Sequence, residues 1–339
     1  MKILMVGLGG AGQRHLRLLS ELLGKKVEFI AYRKIGRKQV ITKAFSLEEE
    51  QTVEEKYSVT SYYNLEDAIK QKPEVAFISN PTSEHVKSAL SLAKSGCHLF
   101  IEKPLSHNLD DIQELIRIAK EKSLVVYIGY QMRFHPCIQL MKKLIKENKI
   151  GKILSCNVQA ASYMPSWHTY ENYKELYAAR KDLGGGVILT ESHELDYLYW
   201  FFGMPKSVFA IGGKYSNLDI DVEDTAGILL DYGSFIVNTY LSFVQQPPTR
   251  SCQINGENGA IAWDGINKIS VYDVSKSKWS DTIFDNFERE HMFINELKHF
   301  LACVNKKEKP LIDINEGLNS LKLALAAKQS IKTGKLSVV

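Results

Sequence analysis

The residues with the clearest chemical potential sit at turns. Gly7-Leu8-Gly9-Gly10-Ala11-Gly12 spells GxGxxG between a short apolar run with strand character and a helical pattern. In that setting Gly7 permits a tight turn and Gly9 lets the backbone approach a pyrophosphate. Gly12 lets helix and strand pack closely, and the helix N-terminus offers free N–H groups to the anion. All six residues are therefore candidates for holding a dinucleotide. At the end of the second strand, where an acid would bond the adenosine ribose of NAD, the chain reads Tyr32-Arg33-Lys34, with Arg37 close behind. A guanidinium there suits a bidentate grip on the ribose phosphate of NADP, so Arg33 favours NADP, with NAD the alternative coenzyme. A solvated basic turn is the plainer reading of the same residues.

Two later strand ends should border the reacting half of such a coenzyme. Glu74 to Ser79 runs into Asn80-Pro81-Thr82, and His98 to Ile101 runs into Glu102-Lys103-Pro104. In an open parallel sheet ligands bind outside the carboxyl ends of the strands, which puts Asn80, Pro81, Glu102 and Lys103 at one edge. Lys103 is the leading acid/base candidate, because hydride transfer to or from a carbinol moves a proton as well. Gly184-Gly185-Gly186 precedes a helical stretch holding Glu191, His193 and Asp196. His193 and Asp196 lie three apart on one helix face and can support each other. His193 is a candidate to polarise the reacting oxygen; a satisfied interior histidine is the other reading. Tyr163, Trp167 and His168 lie in an aromatic, polar loop that could stack on a polyhydroxylated ring or serve as a dimer contact. Tyr130 and Arg133 stand where the two halves of the chain join. Arg133 suits a carboxylate or phosphate on a substrate, or an interdomain ion pair.

The elements that must carry these residues follow from periodicity. Alternating strands and helices at Lys2 to Val6, Arg14 to Leu23, Val27 to Tyr32, Glu74 to Ser79, Glu84 to Lys94, His98 to Ile101, Asp110 to Glu121 and Val125 to Gly129 predict a doubly wound parallel sheet. After Gly129 the pattern changes. A helix from about 136 to 148 and a strand from Lys152 to Ser162 come first. A helix from Val187 to Phe202 follows, then strands at 207–212, 225–231, 234–242, 251–255 and 268–272. Short turns between them favour a large, mostly antiparallel open sheet. Helices at 290–305 and 315–332 close the chain, covering a sheet face or packing back on the first domain. The expected fold is α/β, with a dinucleotide-binding Rossmann domain over 1–129 and a substrate-binding α+β domain over 130–339. A homodimer or homotetramer through the open sheet would cover its remaining face.

The ordered set GLGGAG, NPTSEHVKSALSLAKSG, EKPL, GYQMRFHP and GGG followed by HELD resembles the glucose-fructose oxidoreductase and inositol dehydrogenase (Gfo/Idh/MocA) family over nearly the whole chain. The resemblance implies an NAD(P)-dependent oxidoreductase in which Lys103 and His193 are catalytic and the Lys103-Pro104 peptide is cis. It implies a hydroxyl or ketone of a sugar, sugar acid or sugar nucleotide as substrate, with a likeness to a branch linked to surface-sugar metabolism. That family places an aspartate four residues before the histidine, where this chain has Leu189; Glu191 is the candidate replacement.

Composition sets the outer limits. With 43 basic and 39 acidic residues among 339, the charge is too balanced for a nucleic-acid footprint. The five cysteines are scattered, with no CxxC pair, and no His, Cys and carboxylate spacing suggests a metal. No stretch is long enough to cross a membrane and no signal-peptide core is present, so a cytoplasmic enzyme or binding protein is expected. The rival functions are a non-catalytic NAD(P)-binding regulator and an enzyme that oxidises transiently on the way to elimination or epimerisation.

Overall fold

The computed structural model describes residues 1–34, 38–43, 46–168 and 170–339. Arg37, and Thr169 of the aromatic loop, lie outside the described residues. The chain opens with β1 (Lys2–Val6), α1 (Gly10–Leu23), β2 (Glu28–Tyr32) and a small hairpin of β3 (Gln39–Ile41) and β4 (Leu47–Thr52). Then come α2 (Val53–Tyr57), β5 (Thr60–Tyr62), α3 (Leu65–Lys70), β6 (Val75–Ile78), α4 (His85–Lys94), β7 (His98–Glu102), α5 (Ile112–Glu121) and β8 (Val126–Gly129). Six of these strands form one sheet in the order β5-β2-β1-β6-β7-β8, every pair parallel. From β1 the chain winds first toward β2 and then back to β6 on the other side. The carboxyl ends of β1 and β6 are thus the switch point where an open parallel sheet leaves a crevice. Every residue of β6 and β8 is buried, as expected of parallel strands covered on both faces.

The second half contains α6 (Pro136–Lys146), β9 (Ile153–Tyr163), α7 (Val187–Thr190), α8 (Ser192–Phe202), β10 (Ser207–Gly213), β11 (Thr225–Asp231), β12 (Ile236–Ser242) and β13 (Val244–Gly256). It ends with β14 (Gly259–Trp263), β15 (Lys268–Asp273), β16 (Lys278–Ile283), α9 (Arg289–Val304), α10 (Ile314–Thr333) and β17 (Ser337–Val338). Its nine strands run β16-β15-β14-β13-β9-β12-β11-β10-β17. Among the described residues only β9 and β12 pair parallel; the other neighbours are antiparallel. The alternation along β11 and β12 turns Ala226, Ile228, Leu230, Val237 and Leu241 inward, while Ile211, Leu229, Ile236 and Tyr240 stand exposed on the other face.

The last two helices bind the halves together. Phe300 of α9 meets the rings of Phe77, Phe100 and Tyr127 at 5.5, 5.4 and 5.8 Å between centroids. Gly317 of α10 sits so close to β8 that a Cβ there would come within 2.4 Å of Ile128. The same helix reaches the second sheet, where Ser330 Oγ accepts from the Ala210 N–H at 2.9 Å. Among the described residues no helix is long and apolar enough to cross a membrane.

Several elements depart from the sequence reading, which has no β3, β4, α2, β5, α3, β14, β16 or β17. The helix expected from Val187 to Phe202 is broken at Glu191, whose backbone leaves the helical region at φ −90° and ψ 32°. β13 begins seven residues earlier than Ser251 and runs through Pro247 and Pro248, which fall in a register break between Val244 and Thr249. A missing N–H is harmless there. β16 is exposed at every position, so no alternation marks it.

Candidate active site

The glycine turn is shaped by close approach. Gly7 adopts φ +90° and donates its N–H to Tyr32 O at 2.9 Å; a Cβ on it would press on the backbone of Ser79 and Asn80 at 3.0–3.1 Å. A Cβ on Gly12 would lie 2.2 Å from Gly7 O and 2.7 Å from Ser79 Oγ, so only glycine lets α1 start this near β6. Gly9 is different: a Cβ there would meet nothing within 4 Å. The turn is therefore open on one side, and no side chain caps α1, which leaves its first amides for a phosphate. These features fit a dinucleotide. A Cβ on Gly10 would come 3.0 Å from the Tyr170 hydroxyl. The aromatic loop after β9 therefore reaches the glycine turn itself.

The two strand-end turns are tied by a residue the sequence reading left aside. His85, buried at the start of α4, places Nε2 2.9 Å from Asn80 O and Nδ1 2.9 Å from Pro104 O. It bridges the turn after β6 to the cis Lys103–Pro104 peptide after β7. Burial holds its basicity below that of a free imidazole, although both carbonyls act the other way. Asn80 donates Nδ2 to Ser88 Oγ at 3.0 Å, and its Oδ1 is enclosed with no partner among the described residues. Glu102 meets His15 Nε2 at 2.5 Å. Burial pushes the Glu102 carboxyl up, but the His15 contact and the charges of Lys103 and Arg14 outweigh it and keep it below its ordinary value.

Lys103 Nζ donates to Thr190 O at 2.6 Å. That carbonyl ends α7, so the ammonium stands at the break before α8, three residues ahead of His193. The glycine triplet makes this approach possible. Gly184 and Gly186 adopt φ +81° and +106°, and a Cβ on Gly184 would strike Ser83, Thr82 and His107. The second half of the chain is thereby pressed against the turn after β6. His193 is buried, with Nε2 3.1 Å from Gln131 Nε2 and the edge of the ring toward Tyr130, whose centroid is 5.7 Å away. Its Nδ1 has no partner among the described residues. Burial, and then the charges of Lys103, Arg250 and Arg289, hold His193 well below the usual histidine range, so it is neutral. Glu191 carries no hydrogen bond to His193. It faces Arg250 Nη2 at 3.6 Å, and Arg250 Nε donates to Glu194 at 2.7 Å.

Several expected contacts are replaced by others. Asp196 does not support His193: it takes two hydrogen bonds from Arg133, at 2.8 and 2.9 Å, and one from Ser320 at 2.7 Å. Arg133 is fully buried and also reaches Glu316 at 2.7 Å, so its guanidinium is an ion-pair hub between elements and not a substrate grip. Arg33 is turned inward onto Glu54, which also accepts from Ser61 Oγ at 2.7 Å. Lys34, more exposed, pairs with Glu84 at 3.2 Å. Trp167 donates its indole N–H to Ser162 at 2.8 Å and stands edge-on to Phe243, propping the loop on the second sheet. His168 contacts Glu171 at 3.1 Å and stacks on Tyr170. Tyr163 ends β9, partly buried. The reading by spacing missed Gln131, His85, Arg250 and Arg289. Gln131 lay inside a quoted motif, and its place at the tip of β8 was the available signal.

Comparison with known proteins agrees with this architecture. Residues 1–130 match the model of the oxidoreductase family's NAD-binding Rossmann fold, and residues 142–339 that of its C-terminal alpha/beta domain. The chain is 25% identical over 294 residues to myo-inositol 2-dehydrogenase of Thermotoga maritima, covering 83% of this chain and 84% of that protein. It is 24% identical over 351 residues to scyllo-inositol 2-dehydrogenase (NAD(+)) of Bacillus subtilis, covering 97% and 94%. In fold it resembles the WlbA dehydrogenase of Bordetella pertussis in complex with NADH and UDP-GlcNAcA, with TM-score 0.81, 20% identity and coverage of 100% and 98%. The chain belongs to the Gfo/Idh/MocA family of NAD(P)-dependent oxidoreductases.

Proposed function

We propose that the enzyme moves a hydride between nicotinamide and a carbinol or carbonyl carbon of a sugar, sugar acid or sugar nucleotide, with residues 1–129 holding the coenzyme and 130–339 the substrate. The observation that carries this reading is the 2.6 Å contact of Lys103 Nζ with Thr190 O, which sets the ammonium beside His193. The coenzyme would lie along Gly7 to Gly12, Asn80, Pro81 and Glu102, where Gly9 opens onto space and Asn80 Oδ1 lacks a partner. When bound, it supplies or accepts the hydride. An ammonium has three donors, so Lys103 keeps two for the reacting oxygen after bonding Thr190 and can pass the accompanying proton. His193, neutral and steadied by Gln131, offers that oxygen a second hydrogen-bonding partner. Tyr130, buried with its ring 5.7 Å from that of His193, keeps water from that side of the imidazole. Among the residues expected to touch substrate, Tyr163 and Glu191 keep that role in this proposal.

NADP is proposed as the preferred coenzyme, with a ribose phosphate displacing Glu54 from Arg33. Titrations of NADPH and NADH into wild type and Arg33→Ala should show NADPH weakened about ten-fold and NADH unchanged. Equal affinities before and after the substitution remove the preference. A screen of inositols, sugars, uronic acids and sugar nucleotides, following reduced-nicotinamide absorbance, tests the function; a protein that takes up neither coenzyme defeats it.

Self-association through the face bearing Ile211, Leu229, Ile236 and Tyr240 belongs to the same reading, since a broad apolar sheet surface is costly to leave in water. Sedimentation at micromolar concentration should show a dimer or tetramer. Charged substitutions at Leu229 and Tyr240 should convert it to monomer, and a wild type that is already monomeric refutes the contact.

A further inference from the structure

Tyr170 follows β9, in the second half of the chain, yet its hydroxyl oxygen lies 3.0 Å from where a Cβ on Gly10 would stand. Gly10 is the first residue of α1, so this oxygen sits beside the amides that the first half of the chain offers to phosphate. The approach does not belong to a loose segment, because the chain is fastened to the second half on both sides of Tyr170. Before it, Trp167 donates its indole N–H to Ser162 Oγ at 2.8 Å and packs edge-on against Phe243 at 5.1 Å between centroids. After it, the Tyr173 hydroxyl accepts from the Asp219 N–H at 3.3 Å, and Lys174 pairs with Asp219 at 2.8 Å. These anchors deliver Tyr170 to the glycine turn.

The ring and the hydroxyl of Tyr170 have different neighbours. His168 stacks on the ring at 5.4 Å between centroids, with the two planes 19° apart. One face is therefore taken, and what Tyr170 brings to the first half of the chain is its hydroxyl end. A phenol O–H turns about its C–O bond and donates to whichever acceptor comes within reach. Next to it stand the uncapped start of α1 and the open side of Gly9, where a Cβ would meet nothing within 4 Å. A phosphate oxygen accepting from those amides at about 3 Å shares its neighbourhood with the Tyr170 hydroxyl. Hydrogen bonds to an ionised acceptor are stronger than those between neutral groups, so a donor at this place adds to what the helix start supplies.

We infer that Tyr170 is a coenzyme-binding residue, donating its hydroxyl to the pyrophosphate held along Gly7 to Gly12. This rests on the coenzyme reading of that turn. It takes Tyr170 out of the set of rings that the aromatic loop offers to a sugar, and it makes the coenzyme site composite, with one donor coming from residues 130–339. Bound coenzyme then ties the two halves of the chain together through Tyr170, in addition to the packing of α9 and α10.

The test is calorimetric titration of the full-length protein, wild type and Tyr170→Phe, with NADH, NADPH and ADP in a buffer free of competing anions. Phenylalanine keeps the ring and its stack on His168 and removes only the oxygen. All three probes carry a pyrophosphate, so each should bind about ten-fold more weakly to the variant, the order expected for one hydrogen bond to a charged group. The melting curve of the free variant should superimpose on that of wild type. Unchanged affinity of Tyr170→Phe for the three probes overturns the inference. Weakened NADH and NADPH with unchanged ADP would place the hydroxyl at the nicotinamide half and overturn it too. A loss matched by a lowered melting curve of the free protein would make the hydroxyl structural, with the same result. Failure of the coenzyme reading shows separately, as a wild type that takes up none of the three.

Discussion

Lys103→Ala should lower turnover by roughly 100- to 10,000-fold, the range removed with a general acid or base, while coenzyme affinity stays within about two-fold of wild type because the phosphates rest on other groups. The asymmetry follows from where Lys103 points. Its Nζ donates to Thr190 O, whereas the proposed seat of the phosphates is the glycine turn after β1. His193 is a poor substitute as the proton carrier, because burial, and then the charges of Lys103, Arg250 and Arg289, make it a far weaker base than a free imidazole. Removing Lys103 relieves one of the charges acting on it but leaves the larger cause in place. The measurement is steady-state oxidation of the best sugar from the screen, paired with coenzyme titration and a melting curve. Unchanged turnover in a folded, coenzyme-binding variant discards the relay. A variant that loses coenzyme affinity in proportion would make Lys103 part of the binding site and not of the chemistry.

What could be read from the sequence is what is local. The glycine turn declares itself within six residues because strand, tight turn and helix start are all spelled consecutively, and the Cβ clashes at Gly7 and Gly12 are consequences of that same short path. Lys103 was legible for a similar reason: a strand end names its own edge of the sheet. For Arg133 an ion pair was one of the two readings, but its partners were not legible. Its partners are Asp196, 63 residues away, and Glu316, 183 residues away, and no periodicity links positions so distant. Asp196 seemed a partner for His193 because the two are three apart, yet the side chain is drawn off by Arg133 and Ser320.

Positions 38–70 left a gap for a different reason. Their elements are three to six residues long, too short to display a period, although the capping box of Thr52 and Glu55 was a usable signal for α2. The break at Glu191 escaped because the polar run from Thr190 to Glu194 holds no glycine or proline to mark it. Thr190 O, at that break, is the acceptor for Lys103, so the catalytic geometry proposed above depends on an interruption the pattern concealed.

The Arg133 hub makes the second large prediction. Arg133→Ala should destabilise the protein by about 3–5 kcal/mol, the usual cost of removing one partner from a buried ion pair. Both Arg133 and Asp196 are fully enclosed, so the remaining carboxylate has no water to turn to and keeps only Ser320. Already in the intact pair, burial raises Asp196 above its ordinary value despite the guanidinium; without Arg133 it must rise further. A carboxyl whose folded value lies above its unfolded one favours the folded state below the unfolded value, and that advantage is lost as pH rises through the folded value. The deficit of Arg133→Ala relative to wild type should therefore be smaller in acid than at neutral pH. Replacing both partners by apolar residues, Arg133→Met with Asp196→Leu, should recover most of the stability, because no unpaired charge is then left inside. Urea denaturation of the three proteins across that pH span decides the matter. A deficit that is independent of pH, or a double variant no better than Arg133→Ala, would mean that packing of the Arg133 stem, not its charge, holds the turn carrying Gln131 against α8.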